Sequence, residues 1–259
     1  MTTRGKAAPV ATPTPRGLAE QAARELRALG DPRRAAGAKA YFKQFETVAF
    51  IGVAVPDVRR FARDLYGRVR GAWTVEEAIA FADRCARQRE TELKWVGFFV
   101  VGRYRRSLPR TLLPTVKGWL ADGCCDNWAL VDALAPEIIT PLLARFPGIT
   151  KELLAWTRSR NLWIRRAALV ALVPPARKGE RLDEAYDAVM AVAGDREDLI
   201  HKAAGWLLRE AGKTDGQRLE RFLLEHGPKL PRTTVRYAIE RFPRGRRLLL
   251  LRATRGAET

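Results

Sequence analysis

Along most of the chain, apolar residues recur at i, i+3, i+4 and i+7, the spacing that places them on one stripe of an α-helix. The segments are GLAEQAARELRALG from near Gly17 to Gly30, PDVRRFARDLYGRVR, TVEEAIAFADRCARQ, ETELKWVGFFVVGRY, LPRTLLPTVKGWLADG, ITKELLAWTRS, NLWIRRAALVALVP, LDEAYDAVMAVAG, REDLIHKAAGWLLREAGK, DGQRLERFLLEHG and RTTVRYAIERF. Their ends carry helix punctuation. Pro56 opens one helix, where proline is tolerated in the first turn. Thr74 with Glu77 has the spacing of a capping box. Asn161 and Asp195 are N-cap candidates, and Gly194, Gly212 and Gly227 are candidate stops. The single β-like stretch, VAFIGVAV from Val48 to Val55, is short and isolated, and a lone strand has no partner; it reads as a buried loop.

Short turns between successive helices predict stacked helical hairpins. Aligning NLWIRRAAL, EDLIHKAAG and TTVRYAI on their small residues places Arg166, Lys202 and Arg236 in register, 36 and 34 residues apart, and a further step of 34 towards the N-terminus lands on Asp132. A period of this size belongs to helical-hairpin solenoids of the tetratricopeptide or HEAT type. In such a stack equivalent positions line one continuous surface. The expected fold is therefore all-α, a right-handed stack of antiparallel helical hairpins forming a HEAT-like solenoid with a concave basic face. A flexible N-terminal tail over 1–16, a single repeat domain over 17–245 and a C-terminal tail over 246–259 are the expected divisions.

Charge then says what that face is for. The formal net charge is +18 over 259 residues. Such an excess points to a polyanionic partner, with DNA or RNA ahead of an anionic membrane surface. No apolar run approaches the roughly 18 residues that span a bilayer. The Pro- and Ala-rich start lacks the apolar core of a signal peptide. Cys85, Cys124 and Cys125 make an odd set with one adjacent pair, which is no disulfide framework and suits a reducing compartment. With only His201 and His226 and no CxxC, neither a zinc site nor any other metal or cofactor is expected. The expectation is a soluble, cytoplasmic monomer, nucleoid-associated when bound to DNA.

Tryptophans flank three positions of the row. Trp128 precedes Asp132 by four residues, Trp163 precedes Arg166 by three, and Trp206 follows Lys202 by four. Residues three or four apart share a helix face. Trp163, between Leu162 and Ile164, is the one best suited to the core. Trp128 and Trp206, beside charged residues, suit a ligand surface where a π-face meets a base, a sugar or a cation. Arg166, Lys202 and Arg236 suit phosphate, with Lys213, Lys229 and Arg232 as possible extensions near helix ends. Asp132 is the odd member, since a carboxylate on a phosphate-binding face repels its ligand unless it has a task. Either it pairs with a neighbour such as Arg166, or it stabilises positive charge on a sugar and positions a water, as carboxylates do in glycoside cleavage. Tyr41, in AYFKQF, fits either a core or a groove.

These segments resemble the AlkD-type DNA alkylation-repair glycosylases, a HEAT-like repeat family. The resemblance runs from about Tyr41 to Phe242 and rests on YFKQFETVAFIGVAVPDVRR, DNWALVDALAP, SRNLWIRRAAL, DLIHKAAGWLLREAGK and LPRTTVRYAIERF. It implies hydrolysis of the N-glycosidic bond of cationic N3- and N7-alkylated purines in duplex DNA, without extrusion of the base. It places the catalytic aspartate on Asp132 with Trp128 as its partner, the motif arginine on Arg166, the second active-site tryptophan on Trp206 and the N-terminal tyrosine on Tyr41. Members of the family carry two consecutive tryptophans before the aspartate, whereas Asn127 precedes Trp128 here, a departure that bears on local packing. No lysine is placed as a Schiff-base nucleophile, so a monofunctional glycosylase without strand cleavage is expected. The alternatives are a non-catalytic helical-repeat module that binds DNA or RNA, and a protein-binding solenoid with an apolar or mixed face.

Overall fold

A computed structural model describes residues 12–42 and 48–255. Among the described residues the chain is helical without strands; its one extended pairing is an isolated parallel bridge between Ala49 and Glu90. Within the span expected to form one domain, the backbone packs as two compact units, Met1–Gln44 with Ala49–Tyr104, and Phe45–Val48 with Arg105–Thr259.

The first unit holds α1 (Pro15–Ala28), α2 (Pro32–Tyr41), α3 (Val55–Val69), α4 (Val75–Ala86) and α5 (Thr91–Val101). Helix α5 is mostly apolar, with Thr91, Glu92 and Lys94 near its start, and every one of its residues is buried, as in a central helix. Helices α1, α3 and α4 pack around it. The capping box forms as expected: Thr74 Oγ1 accepts from the Glu77 N–H and the Glu77 carboxylate from the Thr74 N–H. Helix α1 starts at Pro15, earlier than the Gly17 expected, because Thr14 caps it and Pro15 fills its first turn. Residues 1–11 of the expected tail lie outside the described residues.

The stretch read as a buried loop is an irregular segment from Phe50 to Ala54 that is half-buried except at the buried Gly52, and Glu92 at the start of α5 organises it. The Glu92 carboxylate is 1% exposed and accepts backbone N–H bonds from Ile51 at 2.9 Å, Gly52 at 2.8 Å and Val53 at 3.3 Å. Gly52 sits at φ +92°, and a Cβ there would run into the Asp31 carbonyl, so the turn requires glycine.

The second unit holds α6 (Leu112–Ala121), α7 (Trp128–Leu134), a π-turn (Ala135–Ile139), α8 (Thr140–Arg145), α9 (Thr150–Trp156), α10 (Leu162–Ala176), α11 (Leu182–Ala191), α12 (Asp198–Ala211), α13 (Gly216–His226), α14 (Arg232–Ala238) and α15 (Arg244–Ala253). Helices α7, α10, α12 and α14 pack successively on one another. Helices α9 and α11 form a second row, as do α13 and α15, and α11 packs on both α10 and α12. This is the stacked-hairpin order that the 34- to 36-residue spacing predicts.

Small residues set the approach of the first row. A Cβ on Gly205 of α12 would collide with the Tyr237 Cβ and lie 2.7 Å from the Thr234 carbonyl, so α14 packs directly on the backbone of α12. Helix α10 runs through Pro174 and Pro175. Pro175 has no N–H for the Ala171 carbonyl, and the Thr140 hydroxyl donates to that oxygen instead, at 2.8 Å.

Two further boundaries differ from expectation. The segment expected as a tail from 246 continues in α15 to Ala253, with Leu250 buried while Leu248 and Leu249 stay exposed. One buried leucine in a run of four leaves no clear helical period. Asp195 is not the N-cap of α12, which Glu197 precedes without a side-chain cap; Asp195 instead turns inward to Arg165.

Candidate active site and nucleic-acid interface

Asparagines start both helices that carry the central pair. The Asn127 side chain accepts the Leu130 N–H at 3.0 Å and is fully buried, which fixes the start of α7 and puts Trp128 in its first turn. Cap geometry thus accounts for asparagine at the position where the resembled family carries tryptophan. Asn161 accepts from the Trp163 and Ile164 N–H groups at 2.8 and 3.2 Å, and its amide donates to the Leu120 carbonyl on α6 at 3.2 Å. Helix α10 therefore begins at a fixed point, and Arg166 emerges one turn later.

Arg166 and Asp132 meet as a bidentate pair. Arg166 Nε donates to Asp132 Oδ1 at 2.9 Å and Nη2 to Oδ2 at 2.8 Å. Arg166 Nη1 donates to the Leu199 carbonyl in the first turn of α12 at 2.6 Å. One guanidinium thereby ties α7, α10 and α12 together. The sequence left open whether Arg166 reaches phosphate or neutralises Asp132, and in the structure it pairs with Asp132. At 5% exposure with its donors turned to Asp132 and Leu199, Arg166 is a structural partner of the carboxylate. Asp132 keeps more surface open, 21% of its side chain against 6% for Arg166. Burial pushes the Asp132 carboxyl above the ordinary aspartate range, and the charge and hydrogen bonds of Arg166 offset this only in part.

The adjacent Arg165 has a different post. It pairs with Asp195 through Nε at 2.6 Å and donates to the Ser159 and Arg160 carbonyls at 2.9 and 3.1 Å. Sequence reasoning missed this second inter-repeat clip; its only signal was a charged Asp195 in a turn.

The remaining candidates divide. Trp128 and Trp206 are half-buried, and so is Trp163, the tryptophan best suited to the core, because it lies in the first turn of α10. Lys202 on α12 is half-exposed and pairs with Asp198 one turn earlier, at 2.7 Å. That hydrogen bond holds the Asp198 carboxyl below its usual range. Arg236 on α14 is exposed and makes no ion pair among the described residues. Tyr41 belongs to the first unit, where it ends α2 at 77% exposure, edge-on to Phe42. It is not a core residue.

Two of the cations expected at DNA have internal partners. Lys213 pairs with Glu210, a carboxylate at 2% exposure that also takes Arg177 Nε at 2.7 Å. Burial pushes Glu210 up, and the hydrogen bonds from Lys213 and Arg177 more than reverse it. Arg232 closes the end of α15, donating to the Thr254 and Leu251 carbonyls at 3.0 and 2.9 Å. Both cations satisfy groups that the fold would otherwise leave unmet.

A profile of DNA alkylation repair enzymes matches residues 22–242, which contain every residue of the central pair and its tryptophans. The chain belongs to the DNA alkylation repair enzyme family. A solved structure described as a predicted DNA alkylation repair enzyme from Enterococcus faecalis is similar to this family member, with a TM-score of 0.70 and 22% identity over 83% of this chain and 97% of that one. At that identity the likeness speaks for the fold. No curated protein matches the chain at a significant level. The family is named for DNA alkylation repair, which points to DNA as the partner of this chain. Among the described residues no helix is long and apolar enough to cross a membrane.

Proposed function

We propose that this chain is a monofunctional DNA glycosylase that hydrolyses the N-glycosidic bond of N3- and N7-alkylated purines in duplex DNA, leaving the damaged base in the stack. The observation that carries the reading is the asymmetry of the central pair. The guanidinium is sealed behind the carboxylate, while Asp132 keeps an open edge. A carboxylate uses two oxygens with about four lone-pair positions, so two bonds to Arg166 leave capacity on that edge.

An alkylated purine already carries the positive charge that makes it a good leaving group. As the bond from C1′ to the purine nitrogen breaks, its electron pair stays with the purine, which leaves neutral, and the deoxyribose becomes oxocarbenium-like. Asp132 stabilises that charge through a preorganised field. Arg166 keeps the carboxylate in place and ionised. Trp128, one turn before Asp132, and Trp206 offer π-faces to the cationic sugar. Water adds to C1′ and releases a proton, completing an abasic site. Lys202, Arg236 and Tyr41 serve the DNA backbone in this reading, and the fold supplies no need for a cofactor in a hydrolysis of a pre-activated bond.

The test is release of 7-methylguanine and 3-methyladenine from methylated duplex DNA. Wild-type protein releases base and Asp132→Asn is slower by about a hundredfold or more, the scale of losing one preorganised electrostatic group. Release by Asp132→Asn at the wild-type rate overturns the assignment. The same ion pair favours a second reading, a non-catalytic repeat module that binds duplex or RNA and uses Asp132 only to neutralise Arg166. That reading predicts salt-dependent binding and no abasic sites.

A further inference from the structure

The second unit carries cations that the Asp132 site does not use. Arg105 and Arg106, in the segment between Tyr104 and Leu112, are exposed and make no ion pair among the described residues. They line a groove with Pro136, Pro141 and Arg145. A second groove, with Lys178 and Arg181 on its wall, lies at the end of α10. Thr140 and Ala144 line both, so the two form one continuous track along α8.

The charges of this track are one-sided. Arg181 is taken by Glu184 and Thr150, each at 3.0 Å, and Arg145 spends one nitrogen on the Leu108 carbonyl at 2.9 Å. Arg105, Arg106, most of the Arg145 guanidinium and the exposed Lys178 remain, against a single lining carboxylate, Glu180. Arg145 and Lys178 follow from position alone, because cations suit the C-terminal ends of helices. Arg105 and Arg106 follow the 3-10 turn Gly102–Tyr104 that ends α5, and they also face a floor that offers no backbone donors of its own at Pro136 and Pro141.

We propose that this track binds the phosphodiester backbone of duplex DNA, with Arg105 and Arg106 as its principal contacts. Arginine forks match phosphate oxygens, and a half-rigid floor without competing donors leaves the guanidinium groups to set the contact. The inference rests on DNA as the partner and not on the excision chemistry, so the two are separable by experiment.

Unmodified duplex, which has no base to release, is the probe. Its affinity is measured against salt for wild type, for the double variant Arg105→Ala with Arg106→Ala, and for Glu180→Lys. Each phosphate contact contributes about 0.9 to the slope of log K against log salt. The double variant is expected to bind more weakly with a slope shallower by about 1.8. Glu180→Lys is expected to bind more tightly with a steeper slope, and this gain does not depend on the double variant folding well. Unchanged affinity and slope in both variants overturn the proposal. So does a loss confined to vesicles rich in phosphatidylglycerol, which would make the track a membrane-surface site. If Asp132→Asn releases base at the wild-type rate while these slopes still shift, the excision reading fails and the track stands.

Discussion

Removing Arg166 tests whether the central pair is a coupled unit. Arg166→Met keeps a long apolar side chain but deletes three hydrogen bonds, two to Asp132 and one to the Leu199 carbonyl. Breaking a buried ion pair from one side costs about 3–5 kcal/mol, since a charge is left without compensation. Asp132 retains 21% of its side-chain surface in solvent, so the lower end applies, about 3 kcal/mol at neutral pH. Asp132→Leu strands the guanidinium at a 5% exposed position and costs a similar amount. The double variant strands neither charge. It loses the bond to Leu199, about 1 kcal/mol, and its total falls short of the sum of the single changes by at least about 2 kcal/mol. Urea unfolding followed by circular dichroism, with equal slopes for all four proteins, gives the cycle. The penalty of Arg166→Met also depends on pH with a definite sign. Without the guanidinium the folded-state pKa of Asp132 rises further above its unfolded value near 3.9. A protonated Asp132 carries no stranded charge, so the deficit is present at neutral pH and shrinks as pH falls, by at most about 1.4 kcal/mol per unit. Single changes that add within about 0.5 kcal/mol, or a deficit that grows on acidification, refute the reasoning.

Three further outcomes follow from the same geometry. In the proposed mechanism base release requires ionised Asp132, whose carboxyl burial holds above the ordinary range; initial rates of 7-methylguanine release should then decline on acidification at a higher pH than an aspartate near 3.9 would give, and a limb at or below that value contradicts it. Gly205→Ala drives a methyl group into Tyr237 and Thr234, so α14 must shift off α12, and a loss of about 1–3 kcal/mol is expected in thermal or urea unfolding; a wild-type midpoint means the helices do not pack on that backbone. Glu92→Ala leaves three N–H groups of the loop at Ile51, Gly52 and Val53 without their acceptor, a cost on the order of 3 kcal/mol, and hydrogen exchange should speed up at those three amides first.

The order of the helices was legible because each buries an apolar stripe, and that periodicity survives in sequence without reference to any neighbour. The succession of α7, α10, α12 and α14 was legible for the same reason, since a repeat brings like elements together by translation alone. Partner choice was not. Arg165 and Arg166 are adjacent and chemically identical, yet a rotation of about 100° between successive helical residues sends one to Asp195 and the other to Asp132. The internal partners of Lys213 and Arg232 were hidden for a related cause. A cation near a helix end satisfies either a phosphate or the fold's own carbonyls and carboxylates, and composition cannot say which. Glu92 was invisible because its partners are backbone N–H groups about 40 residues away, which no side-chain pattern records. These cases share one physical rule: a charge is assigned by what is buried beside it. The rule bears directly on the site. A buried Arg166 makes Asp132 an anchored carboxylate with part of its surface open, and the proposed chemistry rests on that geometry.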